Sequence, residues 1–253
     1  MWQLGSNMGD TVQRFYRSEP SASGYGAALR RAGTSDPFSF CVYSFEANEK
    51  FQSHLEATAR SVHKRVERSG GSLVIYNATA AVAASNPDGD SVTFYRGSIA
   101  QHQHGASTVV AEKQYAQFYE QVTVRAIRFP EWLAIHTPDK GQRPSDRVTV
   151  ALKCDIEGAE VGYRPASSPY MRPLPTFPVP TSTELAHAMS QYEILRELVS
   201  SGLACSRLDH LFIEWHRKDK LTGNTTVPYE ADGMLEWLLA TPQCGVTVER
   251  LKK

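Results

Sequence analysis

The sequence has no surplus of charge of either sign. Its 27 Lys and Arg are matched by 27 Asp and Glu, giving a formal net charge of +0 and a pI near 7.1. The broad positive field that holds a nucleic-acid backbone is therefore missing, and a small-molecule or glycan partner fits better than DNA or RNA. No apolar run approaches the roughly 20 residues of a membrane span, and the start Met1-Trp2-Gln3-Leu4-Gly5 lacks the basic-then-apolar layout of a signal peptide. The chain reads as soluble, with the cytoplasm as the default compartment. Cysteine is scarce: Cys41, Cys154, Cys205 and Cys244 contain no Cys-x-x-Cys pair, which argues against a zinc site and supplies no disulfide framework. Reduced, mostly buried thiols are expected. Internal repeats are also lacking, so 253 residues read as one domain spanning 1–253.

What is present is an alternation of β-branched apolar runs with longer amphipathic stretches, the pattern of βα units around a largely parallel sheet. The runs predict strands over Phe40–Phe45, Ser72–Asn77, Val92–Tyr95, Gln121–Ile127, Val148–Cys154, His210–Trp215 and Val246–Leu251. Helices are predicted over Thr11–Phe15, Lys50–Ser69, Phe129–Ile135, Tyr192–Ser201 and Tyr229–Leu239. The second has Phe51, Leu55, Val62 and Val66 at helical spacing and Gly70-Gly71 as a stop. Two segments break the rhythm. Ser18–Ser39 is rich in Ser, Gly, Ala and Pro, and Gly162–Pro180 carries Pro165, Pro169, Pro173, Pro175, Pro178 and Pro180, so both are predicted to be loops.

Four places carry candidate chemistry. Leu4-Gly5-Ser6-Asn7-Met8-Gly9-Asp10-Thr11 runs from an apolar start through a glycine turn into a helix. Glycines serve where a chain leaves a strand tightly and its backbone approaches a ligand, although a plain surface turn has the same composition. Val42–Phe45 ends in Glu46, placed as the acid that accepts hydrogen bonds from ribose hydroxyls in nucleoside sites. A solvated acid at a helix start would look the same. Val148–Cys154 opens into Asp155-Ile156-Glu157-Gly158-Ala159-Glu160, whose crowded carboxylates repel unless they cap a helix, point apart or meet a cation. Finally Leu211-Phe212-Ile213 leads to Glu214-Trp215-His216 at a strand's carboxyl end, where ligands sit in open α/β sheets. His102 and His104 could suggest a metal pair, but no acid or cysteine cluster accompanies them and no metal site is expected.

Taken in order, Gly5-Ser6-Asn7-x-Gly9-Asp10, Phe45-Glu46-Ala47-Asn48, Tyr76-Asn77-Ala78-x-Ala80, Lys153-x-Asp155-Ile156-Glu157-Gly158-Ala159-Glu160 and Ile213-Glu214-x-His216 resemble the motif series of FkbM-type methyltransferases. The resemblance covers nearly the whole chain. It implies the class I, Rossmann-like fold of S-adenosylmethionine (SAM) dependent methyltransferases, a seven-stranded, mostly parallel sheet flanked by helices. It implies methyl transfer from SAM to a hydroxyl on a sugar, glycan or other small natural product. By position, Gly5, Ser6, Asn7 and Gly9 would line the methionine part of SAM, Glu46 would hold the ribose, and Asn77 and Ala78 would border the adenine. Asp10 and Ala47 belong to the same implied site. Asp155 would face the SAM amino group or the incoming hydroxyl, and His216, Asp155 and Glu157 are the candidates for taking the hydroxyl proton. His216 has the pKa best suited to neutral pH.

The chain departs from that pattern in three ways. Gln3 stands where the family commonly has Asp, with only Met1 and Trp2 before it, so the first strand reads as shortened. Ala47 replaces a frequent Pro. Val161–Gln191 intervenes where the family runs directly into a helix. That segment reads either as a surface loop acting as a substrate lid or as a retained in-frame intron, which transcripts lacking codons 161–191 would reveal. Two other functions fit the same features: a degenerate, non-catalytic binding protein, and a NAD(P)-dependent oxidoreductase, whose cofactor site also combines a glycine turn with a strand-end acid.

Overall fold

The computed structural model describes residues 1–6, 9–18, 25–82, 84, 89–97, 106–107, 119–143, 149–154, 191–213, 237 and 241–250. Ten strands fall in these residues: β1 (Trp2–Leu4), β2 (Cys41–Glu46), β3 (Ser72–Asn77), β4 (Thr79–Val82), β5 (Ser91–Gly97), β6 (Ala106–Ser107), β7 (Tyr119–Arg128), β8 (Ala151–Cys154), β9 (His210–Ile213) and β10 (Thr247–Arg250). The helices are α1 (Asp10–Tyr16), α2 (Gly26–Arg31), α3 (Gln52–Arg68), α4 (Phe129–His136), α5 (Gln191–Ser200) and α6 (Leu203–Arg207).

Six strands pair in the order β3-β2-β1-β8-β9-β10, every pair parallel. Parallel sheets are covered on both faces, and the strand sequences obey that requirement. Trp2, Leu4, Phe45, Leu152, Leu211 and Ile213 point to one face, where Phe129 and Leu133 of α4 and Ile194, Leu195 and Leu198 of α5 bury against them. Val42, Ala151 and Phe212 point to the other, beneath Val12 and Phe15 of α1, Ala28 and Leu29 of α2, and Val62 and Val66 of α3. Each fully buried Leu or Phe is worth about 1.5–3 kcal/mol relative to exposure, so these two layers hold the sheet together. The result is a Rossmann-like α/β arrangement. No helix among the described residues is long and apolar enough to cross a membrane.

A second, four-stranded sheet has the order β4-β7-β5-β6 and its own small core of Ala80, Val82, Val92, Val124 and Ala126. It branches from the carboxyl end of β3, because β4 starts at Thr79 after the single turn residue Ala78. Ala47 packs against this core, and Lys50 pairs with Glu120 of β7 at 2.6 Å, so the second sheet stands beside the carboxyl end of β2.

Three expectations are corrected. Ser18–Ser39 is not all loop, because it contains α2 and a 3-10 turn at Pro37–Ser39. Tyr25, Ala28 and Leu29 share one face there and bury against the core, with the Tyr25 ring edge-on to Phe15 at 5.5 Å and to Phe212 at 4.9 Å. Strand β8 begins at Ala151 rather than Val148. The cysteines are not all thiols: Cys205 of α6 and Cys244, in the turn before β10, form a disulfide with their Cα atoms 4.3 Å apart. Cys41 is exposed and Cys154 buried. Apart from Trp237, which is helical, the helix predicted at Tyr229–Leu239 lies outside the described residues, as does Val161–Gln191 apart from Gln191.

Candidate functional site

In the order β3-β2-β1-β8-β9-β10 the chain steps outward from β1 in one direction and from β8 in the other. The crevice outside the carboxyl ends of β1 and β8 is the switch point at which such sheets bind ligands. The glycine turn lies there. Gly5 (φ 79°) and Ser6 both donate their backbone N–H to the Phe45 carbonyl, at 3.1 and 3.2 Å, and the Ser6 hydroxyl bonds to that of Ser44. Gly9 N–H donates to the Ser6 carbonyl at 2.9 Å, and Gly9 itself caps α1 with φ 86°, ψ 5°.

A side chain at Gly9 would be strained twice. A Cβ there would stand 2.7 Å from Thr58 Oγ1 of α3, and the left-handed backbone costs a non-glycine residue about 1–2 kcal/mol before any crowding. Gly9→Ala is expected to lose at least about 2 kcal/mol of stability, read as a lower urea midpoint. A midpoint equal to that of the unaltered protein would show that the turn is not held as described.

Glu46 ends β2, and the register that pairs Leu4 with Phe45 brings it level with Gly5. Its side chain is buried, and Oε1 accepts the Asn48 N–H at 2.8 Å. Asn48 is buried too, and its Oδ1 accepts from Lys50 N–H at 3.1 Å, capping the 3-10 turn that leads into α3. Glu46 is paired in register with Asn77, the last residue of β3. Asn77 Oδ1 is buried with no hydrogen-bond partner among the described residues. Next to it, Ala78 takes a φ of 48°, a left-handed conformation uncommon outside glycine, while Thr79 Oγ1 donates back to the Asn77 carbonyl at 3.0 Å. A buried orphan oxygen and a left-handed alanine, side by side at a strand end, are departures that call for a functional explanation.

The structure thus gathers Gly5, Ser6, Gly9, Glu46, Ala47, Asn77 and Ala78 along one edge of the sheet. It does not bring in Asp10, whose half-exposed carboxylate pairs instead with Arg14 at 3.6 Å on the outside of α1. Asn7, Asp155, Glu157 and His216 lie outside the described residues, as do His102 and His104. Among the described residues no group of three or more His, Cys, Asp or Glu could hold a metal ion.

Two buried polar features escaped the sequence reading. Lys153 of β8 is 1% exposed and its Nζ donates to Thr11 Oγ1 in the first turn of α1 at 3.2 Å. It neighbours Gln3, which is fully buried and whose amide atoms have no partner among the described residues. A lysine inside the run Val148–Cys154 was the available signal, since a charged residue is almost never fully buried without a partner. The second feature is at the opposite, amino end of the sheet, where Asp209 is buried beside Arg31 and Arg143. His210 there is pushed down to about 4, first by burial and then by Arg31.

No family model, no curated protein and no solved structure matches the chain.

Proposed function

We propose that the protein is a SAM-dependent methyltransferase acting on a hydroxyl of a sugar, glycan or other small natural product. The observation that carries the reading is the conjunction at the carboxyl ends of the strands: a two-glycine turn over β1, a buried acid at the tip of β2, and a buried Asn77 oxygen at the tip of β3 with no hydrogen-bond partner among the described residues. These groups fit an adenosine. Glu46 is an acceptor for ribose hydroxyls, the Asn77 oxygen is an acceptor for an amino group, and the glycine turn lets the backbone approach the chain beyond the ribose. The resemblance to FkbM-type motifs points the same way, and in this reading the six parallel strands belong to the seven-stranded class I methyltransferase sheet.

Bound SAM would supply an activated methyl group. The chain's own contribution is then to hold the acceptor oxygen about 3 Å from the methyl carbon, in line, and to receive the hydroxyl proton. His216 is assigned that proton, with Asp155 and Glu157 as the other candidates.

One specific observation favours a second reading. Six parallel strands in this order are also the arrangement of a dinucleotide-binding domain, so a NAD(P)-dependent oxidoreductase shares the frame. Incubation with SAM and a panel of sugar and polyol acceptors separates the possibilities. Release of S-adenosylhomocysteine that depends on the acceptor supports the methyltransferase. NADH binding without SAM binding supports the oxidoreductase, and SAM binding without turnover across a broad panel supports a degenerate binding protein.

A further inference from the structure

Beneath the glycine turn the sheet is polar where a Rossmann-like core is ordinarily apolar. Ser44, Gln3 and Lys153 lie side by side across β2, β1 and β8, all buried and all on the face toward α1. Ser44 bonds to Ser6 of the turn, and Lys153 bonds to Thr11 just after it. On its other side α1 is tied to α3, where Gln13 Nε2 donates to Thr58 Oγ1 at 3.1 Å. The start of α1 is therefore clamped from below by β8 and from the side by α3.

The Lys153 contact is not one that stabilises a helix. A lysine amine at a helix's amino end lies against the helix dipole, and burying it costs further solvation. It does join the first turn of α1 to β8, 142 positions apart in sequence. We infer that Lys153 is a positioning residue: by donating to Thr11 it fixes the start of α1, and with it the Gly5–Gly9 turn, at the spacing from β8 that the ligand requires. The inference rests on the cofactor reading above for its ligand, but not for its geometry.

Thr11→Val keeps the shape of the side chain and removes the acceptor. Without ligand, it is expected to speed amide exchange over residues 9–13, where Gly9 N–H bonds to Ser6 and Gln13 N–H to Gly9. With SAM as the probe, its Kd is expected to rise about 5- to 10-fold, the scale of one hydrogen bond. Lys153→Met should do the same if it folds. Leu198→Ala, a cavity on the opposite face of the sheet, is the comparison: it should lower the melting temperature more than Thr11→Val does yet leave the SAM Kd unchanged. Exchange over 9–13 unaltered by Thr11→Val would overturn the inference, as would a SAM affinity that falls equally in Leu198→Ala. If the unaltered protein binds no SAM, the cofactor reading fails, and the exchange measurement still decides the role of Lys153.

Discussion

Asp209→Ala is expected to cost about 3–5 kcal/mol of folding stability, read as a fall in urea midpoint with little change in slope. The Asp209 side chain is 3% exposed and its carboxylate serves three segments at once. Oδ1 pairs with Arg31 of α2 at 3.2 Å, while Oδ2 accepts from Arg143 and from the Val150 N–H at 2.8 Å. The Arg143 side chain is itself 6% exposed and also donates to the Arg207 carbonyl, and Arg207 pairs with Asp139 at 3.1 Å. Removing the carboxylate takes an anionic partner from the buried Arg143 guanidinium, beside a second arginine. The reduced compensation of that buried charge, rather than the attraction lost, sets the size of the effect. The double variant Asp209→Ala/Arg143→Met should therefore recover part of the loss, since it also removes the buried charge whose anionic partner was taken away. A double variant as unstable as the sum of the two single ones would contradict this account of the cluster.

Opening the Cys205–Cys244 disulfide is expected to cost about 4 kcal/mol, the chain-entropy value for a loop closed over a separation of 39 residues. The bond ties α6 to the turn before β10, and among the described residues β10 pairs with β9 alone at the margin of the main sheet. Lys140 adds a second tie to the same turn, donating to the Cys244 carbonyl at 2.7 Å. Reduction with dithiothreitol, or the pair Cys205→Ser/Cys244→Ser, should lower the urea midpoint to the same degree. Exchange should rise first in β10, the strand next to the opened bond, which among the described residues pairs with β9 alone. A midpoint indifferent to reductant would show that the two thiols are not joined in solution.

The parts of the fold that were legible in the sequence are those with local signals. Strands β2 and β3 are rich in β-branched and aromatic residues, and α3 repeats Leu55, Val62 and Val66 at helical spacing, so their positions could be read to within a residue or two. Helix α2 was not legible, because Gly26-Ala27-Ala28-Leu29-Arg30-Arg31 follows a Ser- and Gly-rich stretch and becomes helical by burying Tyr25, Ala28 and Leu29 against distant aromatics. Strand β4 was hidden for a similar reason: Thr79-Ala80-Ala81-Val82 is short, has two alanines of low strand propensity at its centre, and is fixed by pairing with β7, more than forty positions on.

Within the candidate site, the glycines and Glu46 could be read because turn and strand-end chemistry is local, and the register then brings Gly5, Glu46 and Asn77 side by side. The contact of Lys153 with Thr11, the disulfide and the Asp209 cluster join segments far apart in sequence, and no spacing rule predicts them. Asp10 shows the converse. It belongs to the motif, yet its helical position turns it outward to Arg14.

The most direct test of the central claim is calorimetric titration of the purified chain with SAM, run beside Glu46→Ala and beside NADH. The account predicts that SAM binds, that NADH does not, and that the variant loses about 1.5–3 kcal/mol of binding energy, roughly 10- to 150-fold in Kd, as a hydrogen-bonding charged group is removed. A folded protein that takes up no SAM, or binds it equally well without the Glu46 carboxylate, would contradict the assignment of this crevice as a SAM site.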